Sequence, residues 1–169
     1  MHIYDRSTSR RKIWSVRINW SRALTFSERQ SGYIMRHVPN ARGVYCIYAK
    51  DFKFPHRASP AARARWSHIV YIGCGWLDKR LCAHLKYKKN DRLVEYLSKY
   101  NLAYRYDRID DSDPEYDWPR VVEAGLLQKF RGVFEELPPA NKREEVLPAM
   151  DLDEFYLDES ENFSILWRE

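Results

Sequence analysis

The chain has 169 residues, of which 44% are hydrophobic and 31% charged, with a net charge of +5 and a mean hydropathy of −0.67. That composition excludes a wholly disordered chain and gives one domain a sufficient core without metal or disulfide staples. No apolar run approaches the roughly 20 residues of a membrane helix, the polar start Met1–Lys12 lacks the apolar centre of a secretory signal, and Cys46, Cys74 and Cys82 form no C-x-x-C pair, so a cytoplasmic protein with reduced thiols is expected.

In chain order, residues 1–12 read as a mobile basic arm. Trp14, Val16, Ile18 and Trp20 then alternate with Ser15, Arg17, Asn19 and Ser21, the period of a strand with one buried face. Residues 21–37 are expected to be partly helical. The turn Pro39–Gly43 launches a strand over 44–49, and a second strand follows at 69–72. Between them lies a basic stretch, 50–68, too long for a hairpin turn; a loop of this length reads as a substrate-contacting element or a floppy insertion. Leu77, Leu81 and Leu85 mark an amphipathic helix over 77–89, with Arg80 and His84 together on a face beside the leucine stripe. A helix over 91–100, a strand over 102–109 and a long helix from Trp118 to about Glu135 complete the pattern. From 146 onward the chain is acidic with apolar punctuation, and its last part is expected to supply a strand that docks on the sheet. His2, His37, His56 and His68 read as surface or loop residues.

The net charge hides an asymmetry. Residues 1–105 carry 22 Lys and Arg against 6 Asp and Glu, whereas residues 106–169 carry 7 against 18. A basic half rich in Tyr and Trp suits a polyanion, with cations on phosphates and aromatic rings on splayed bases. Lys50, Lys53, Arg57, Arg63, Arg65, Lys86, Lys88 and Lys89 are the candidate nucleic-acid contacts. The acidic half reads as a shield for the basic face, a surface for a protein partner or a metal site.

Several residues at the edges of these elements carry chemistry. Gly43-Val44-Tyr45 opens one strand, and Val70-Tyr71-Ile72-Gly73 runs through the next. Leu77-Asp78-Lys79-Arg80-Leu81 and His84 follow on a helix, then Val122-Glu123-Ala124 and Pro138-Pro139-Ala140-Asn141-Lys142. In this order, over residues 43–143, the chain resembles the GIY-YIG nuclease family. It departs from that family in the long stretch between the two tripeptides and in a Gly73–Arg80 segment about one residue short.

The resemblance implies a single α/β domain: a small, mainly antiparallel three-stranded core sheet flanked by helices. An extension over 1–42 and an acidic tail over 144–169 would each add a strand to that sheet. It also implies a metal-dependent endonuclease hydrolysing DNA to a 5′ phosphate and a 3′ hydroxyl. In that reading Glu123 holds one Mg²⁺ or Mn²⁺ and Arg80 stabilises the phosphate. Tyr45 and His84 activate water, nearby cations lowering the Tyr45 pKa or His84 relaying the proton. Tyr71 hydrogen-bonds the water or the phosphate. Gly43, Gly73, Lys79 and Asn141 support the site, with Asn141 either holding its loop in place or bonding a Tyr or the Glu. The alternative is a catalytically inactive nucleic-acid-binding module of the same fold, or a subunit whose tail binds a protein partner. Whether the chain acts as a homodimer stays open at this point.

Overall fold

A computed structural model describes residues 2–5, 14–56, 66–88, 90–109, 116–142 and 155–157. In chain order these form β1 (His2–Asp5), β2 (Trp14–Arg17), β3 (Leu24–Phe26), a 3₁₀ turn (Glu28–Gln30) and α1 (Ser31–His37). β4 (Arg42–Ala49), β5 (Phe54–Pro55), β6 (Trp66–Ser67), β7 (Ile69–Trp76) and α2 (Leu77–Lys86) follow. The series ends with α3 (Asp91–Lys99), β8 (Leu102–Arg108), α4 (Trp118–Phe134) and β9 (Phe155–Leu157). The protein is of mixed α/β class. Among the described residues, no helix is long and apolar enough to cross a membrane.

The central sheet is antiparallel throughout, in the order β3–β8–β4–β7. β4 lies inside it, and its apolar run Val44-Tyr45-Cys46-Ile47 is fully buried, as a strand covered on both faces requires. Alternate side chains leave by opposite faces. Val44 and Cys46 join Ile72 against α4 through Trp118, Val121, Val122 and Leu126. Tyr45, Ile47 and Ala49 meet Ile34 of α1, Leu77, Leu81 and Leu85 of α2 and Leu93 of α3. The result is three layers with the sheet in the middle.

The edge strand β7 needs partners for its outward backbone groups. The loop after α4 supplies them. The Ala140 amide donates to the Val70 carbonyl at 2.9 Å. Asn141 Oδ1 accepts from the Ile72 amide at 3.0 Å while its Nδ2 donates to the Ile72 carbonyl at 2.8 Å. Asn90 pins that loop from the other side, its Nδ2 donating to the Ala140 carbonyl at 2.9 Å as its Oδ1 caps α3 at the Leu93 amide.

Three expectations from the sequence are corrected. The core sheet has four strands, because Leu24–Phe26 pairs with β8; the partly helical character expected over 21–37 is present at Glu28–Gln30 and Ser31–His37. The terminal strands do not extend the core sheet. They form a sheet of their own, with β2 between antiparallel β1 and parallel β9. The basic arm contains a strand at 2–5. In the tail a strand at 155–157 docks on β2; residues 158–169, the last part where a docking strand was expected, lie outside the described residues. The expected alternation is present all the same, since Val16, Ile18 and Trp20 are buried and Arg17 and Asn19 exposed.

The insertion between β4 and β7 is anchored at its base. β5 and β6 pair antiparallel, and Phe54 is buried among Phe52, Tyr96 and Tyr100, with ring centroids 5.0, 5.0 and 5.1 Å away. His56, read from sequence as a surface or loop residue, is buried against Phe134 with centroids 4.4 Å apart. Its Nδ1 meets Glu136 Oε1 at 2.5 Å.

Gly43 pairs with Gly75 across β4 and β7 and with Arg108 across β4 and β8. A Cβ at Gly43 would collide with the Asp107 carbonyl oxygen and stand 3.0 Å from Leu77 Cδ1. Backbone cannot yield cheaply, so Gly43→Ala is expected to lower stability by about 3 kcal/mol. Gly132 of α4 has open space around its Cβ position, and Gly132→Ala is expected to raise stability by about 0.5–1 kcal/mol. Urea-unfolding midpoints of the two variants check both signs.

Candidate active site

The candidate site forms where α2 packs on β4 and β7, with α4 covering the other face of the sheet. Tyr45 sits directly opposite Gly73 in the β4–β7 register. Its ring lies across that glycine: a Cβ at Gly73 would come within 2.6 Å of the Tyr45 hydroxyl and 2.6 Å of Tyr71 Cε1. The glycine is therefore a steric requirement of the two tyrosines. With the ring seated there, the Tyr45 hydroxyl reaches His84 Nε2 at 2.8 Å.

Burial, and then the Arg80 guanidinium, push the His84 imidazole down to about 4, so it is neutral at neutral pH. Burial pushes the Tyr45 phenol well above its ordinary value; Tyr71 adds to this and Arg80 opposes it. The bond therefore joins a protonated phenol to a neutral imidazole. The expectation that nearby cations lower the Tyr45 pKa is thus corrected: desolvation outweighs Arg80. His84 is also corrected in position. It is buried with Leu77, Leu81 and Leu85, within the leucine stripe of α2 rather than beside it.

Tyr71 is half-buried. Its ring centroid lies 5.0 Å from that of His84, edge-on at 69°, and 6.0 Å from that of Tyr45. Burial and then Glu123 raise its pKa, against Arg80. Arg80 is exposed, and its stem runs along Gly75, where a Cβ would stand 3.2 Å from Arg80 Cγ. Gly75 has φ +123°, a conformation that favours glycine for a second, independent reason. The Tyr45 and Tyr71 phenols push the Arg80 pKa up, with burial opposing them. Glu123, on the helix that covers the other face of the sheet, is buried at 6% exposure, and its charge acts on both phenols.

The structure therefore brings Tyr45, Tyr71, Arg80 and His84 together, and Glu123 lies near enough, from the other face of the sheet, for its charge to act on both phenols. Tyr45 exposes no surface, so Arg80 and Tyr71 form the wall that a solute would meet first. Of the supporting residues, Gly73 makes room for Tyr45 and Asn141 holds its loop on β7. Gly43 lies two residues before Tyr45. Lys79 places its Nζ 5.0 Å from the ring centroid of Trp76. Lys86 and Lys88 are exposed at the far end of α2. Lys50 and Lys53 lie beyond β4, at least five residues past Tyr45 and about 17 Å along an extended chain, and are not part of the candidate site. Arg57, Arg63, Arg65 and Lys89 lie outside the described residues.

Among the described residues, no three His, Cys, Asp or Glu side chains cluster as a metal cage. Glu123 is the carboxylate whose charge acts on Tyr45 and Tyr71; a single carboxylate can hold a hard divalent ion where water or phosphate oxygens supply the rest of its shell. Sequence reasoning missed Cys74, which acts on the Tyr45, Tyr71 and Arg80 charges, and it missed exposed Trp76. Comparison with protein-family models, curated proteins and solved structures finds no match for this chain.

Because the folded pKa of His84 lies below its ordinary value of 6.5, the unfolded chain takes up the proton first as pH falls. Its contribution is intact above pH 6.5 and is lost as pH falls toward 4, by on the order of 3 kcal/mol in total. His84→Gln does not titrate there. Urea unfolding at pH 7 and pH 4 is expected to show wild type losing stability relative to that variant. A gap that stays constant would contradict the assignment.

Proposed function

We propose that the chain is a metal-dependent DNA endonuclease of the GIY-YIG type. The observation that carries this reading is the grouping of a phenol–imidazole hydrogen bond with a guanidinium on an antiparallel sheet, within range of the charge of a buried carboxylate on its other face. The order of these residues along the chain, and their resemblance to that family, support it further.

Hydrolysis of a phosphodiester needs a deprotonated water, neutralised non-bridging oxygens and a stabilised leaving group. Arg80 is a permanent, exposed cation and draws the phosphate in. That phosphate neutralises the charge which, after burial, holds His84 down, so the imidazole becomes more basic when substrate is bound. His84 Nε2 can then accept the Tyr45 proton as the Tyr45 oxygen takes one from the attacking water, relayed by the hydroxyl of Tyr71, its half-buried neighbour. Water's oxygen bonds to phosphorus, the bond to the 3′ oxygen breaks, and the departing 3′ oxygen takes a proton from solvent while the His84 imidazolium releases its own to solvent, leaving a 5′ phosphate and a 3′ hydroxyl. Glu123 would hold one Mg²⁺ or Mn²⁺, which when bound supplies Lewis-acid stabilisation of the developing charge.

The test uses supercoiled plasmid and labelled single-stranded DNA in Mg²⁺, Mn²⁺ or EDTA. Wild type is expected to cleave only with metal. Glu123→Gln and Arg80→Ala are each expected to lose activity by about 10²–10³-fold or more. Absence of cleavage with every ion, while wild type and Glu123→Gln bind DNA alike, would replace the enzyme with a binding module of the same architecture.

A further inference from the structure

α2 has two faces with opposite chemistry. Leu77, Leu81, His84 and Leu85 are buried toward the sheet. Trp76, Lys79, Arg80, Ala83, Lys86 and Tyr87 follow the i, i+3, i+4, i+7 pattern and form one outward strip. Five of its members are charged or aromatic, and all five are exposed; the two rings stand out, Trp76 at 46% and Tyr87 at 61% exposure.

Each ring carries its own cation. Lys79 Nζ lies 5.0 Å from the Trp76 centroid and Lys86 Nζ 5.4 Å from that of Tyr87. The rings bracket the helix, about 16 Å apart along its axis. Arg80 belongs both to this strip and to the candidate active site, one turn from Trp76. Single exposed aromatics are ordinary on protein surfaces. A pair at the two ends of one helix face, each beside a lysine and with Arg80 between them, matches the combination of stacking surface and cation that single-stranded nucleic acid requires. A paired duplex offers phosphates to the cations but keeps its base faces stacked away from the rings.

We infer that the outward face of α2 is a track for unpaired DNA. In this arrangement Trp76 stacks on a base next to the scissile phosphate, Lys79 and Lys86 hold the backbone, and Tyr87 stacks further along. The inference rests on the nuclease reading and narrows its substrate to DNA with unpaired nucleotides at the cleavage point.

Binding is measured in EDTA, where no cleavage occurs, by anisotropy of a labelled oligo-dT strand and of a fully paired duplex. Trp76→Ala is expected to weaken strand binding by roughly 5- to 100-fold and to leave duplex binding nearly unchanged. Trp76→Phe keeps most of the strand affinity, and Tyr87→Ala gives a separate loss on the strand. An unchanged strand affinity in both alanine variants, or an equal loss on strand and duplex, would overturn the track. Cleavage of the same two substrates by wild type in Mg²⁺ or Mn²⁺ separates the two claims. Ring-dependent strand binding without cleavage would sustain the track and sink the nuclease, whereas cleavage with ring-independent binding would do the reverse.

Discussion

The hydroxyl of Tyr45 is sealed inside the protein, and a buried phenol without a partner costs about 1–3 kcal/mol. His84 Nε2, 2.8 Å away, is a partner. That bond places demands on everything around it. The strand opposite must carry a glycine at 73, because any side chain would strike the phenol. The helix above must turn a polar ring into its apolar stripe, and burial must keep that ring neutral. Arg80 then stands close enough to pull on both groups without entering the core.

The edge of the sheet is the second constraint. β7 carries Tyr71 and Gly73 but has a neighbouring strand on one side only. Asn141 answers the amide and the carbonyl of Ile72 together, as a neighbouring strand would. It stops at Ile72, so this pairing ends just short of Gly73. The same loop is tied to the cap of α3 through Asn90, so both helical layers bear on the position of the candidate site.

Much of this was legible in the sequence, and the limits have physical causes. β4, β7 and β8 announce themselves as apolar or alternating runs, and α2 and α4 by their spacing. The ordered residues Gly43, Tyr45, Tyr71, Gly73, Arg80, His84, Glu123 and Asn141 point in sequence to one site, and the fold sets Tyr45 against Gly73 and His84 with Tyr71 beside them. β3 has three residues and one buried side chain, Phe26, too short for a period to show. The β2–β9 pairing joins segments about 140 residues apart in parallel, and no local pattern encodes such a contact. His56 was misplaced because its partner Glu136 is 80 residues away. His84 was misplaced because a histidine spaced among leucines reads as polar until its buried partner is known.

The account turns on a neutral His84 hydrogen-bonded to Tyr45, and ¹⁵N NMR of the imidazole in the intact protein observes this directly. The structure predicts a titration near pH 4 and an Nε2 resonance that moves in Tyr45→Phe. A titration at the ordinary value for histidine, or an Nε2 resonance that does not respond to Tyr45→Phe, would contradict it.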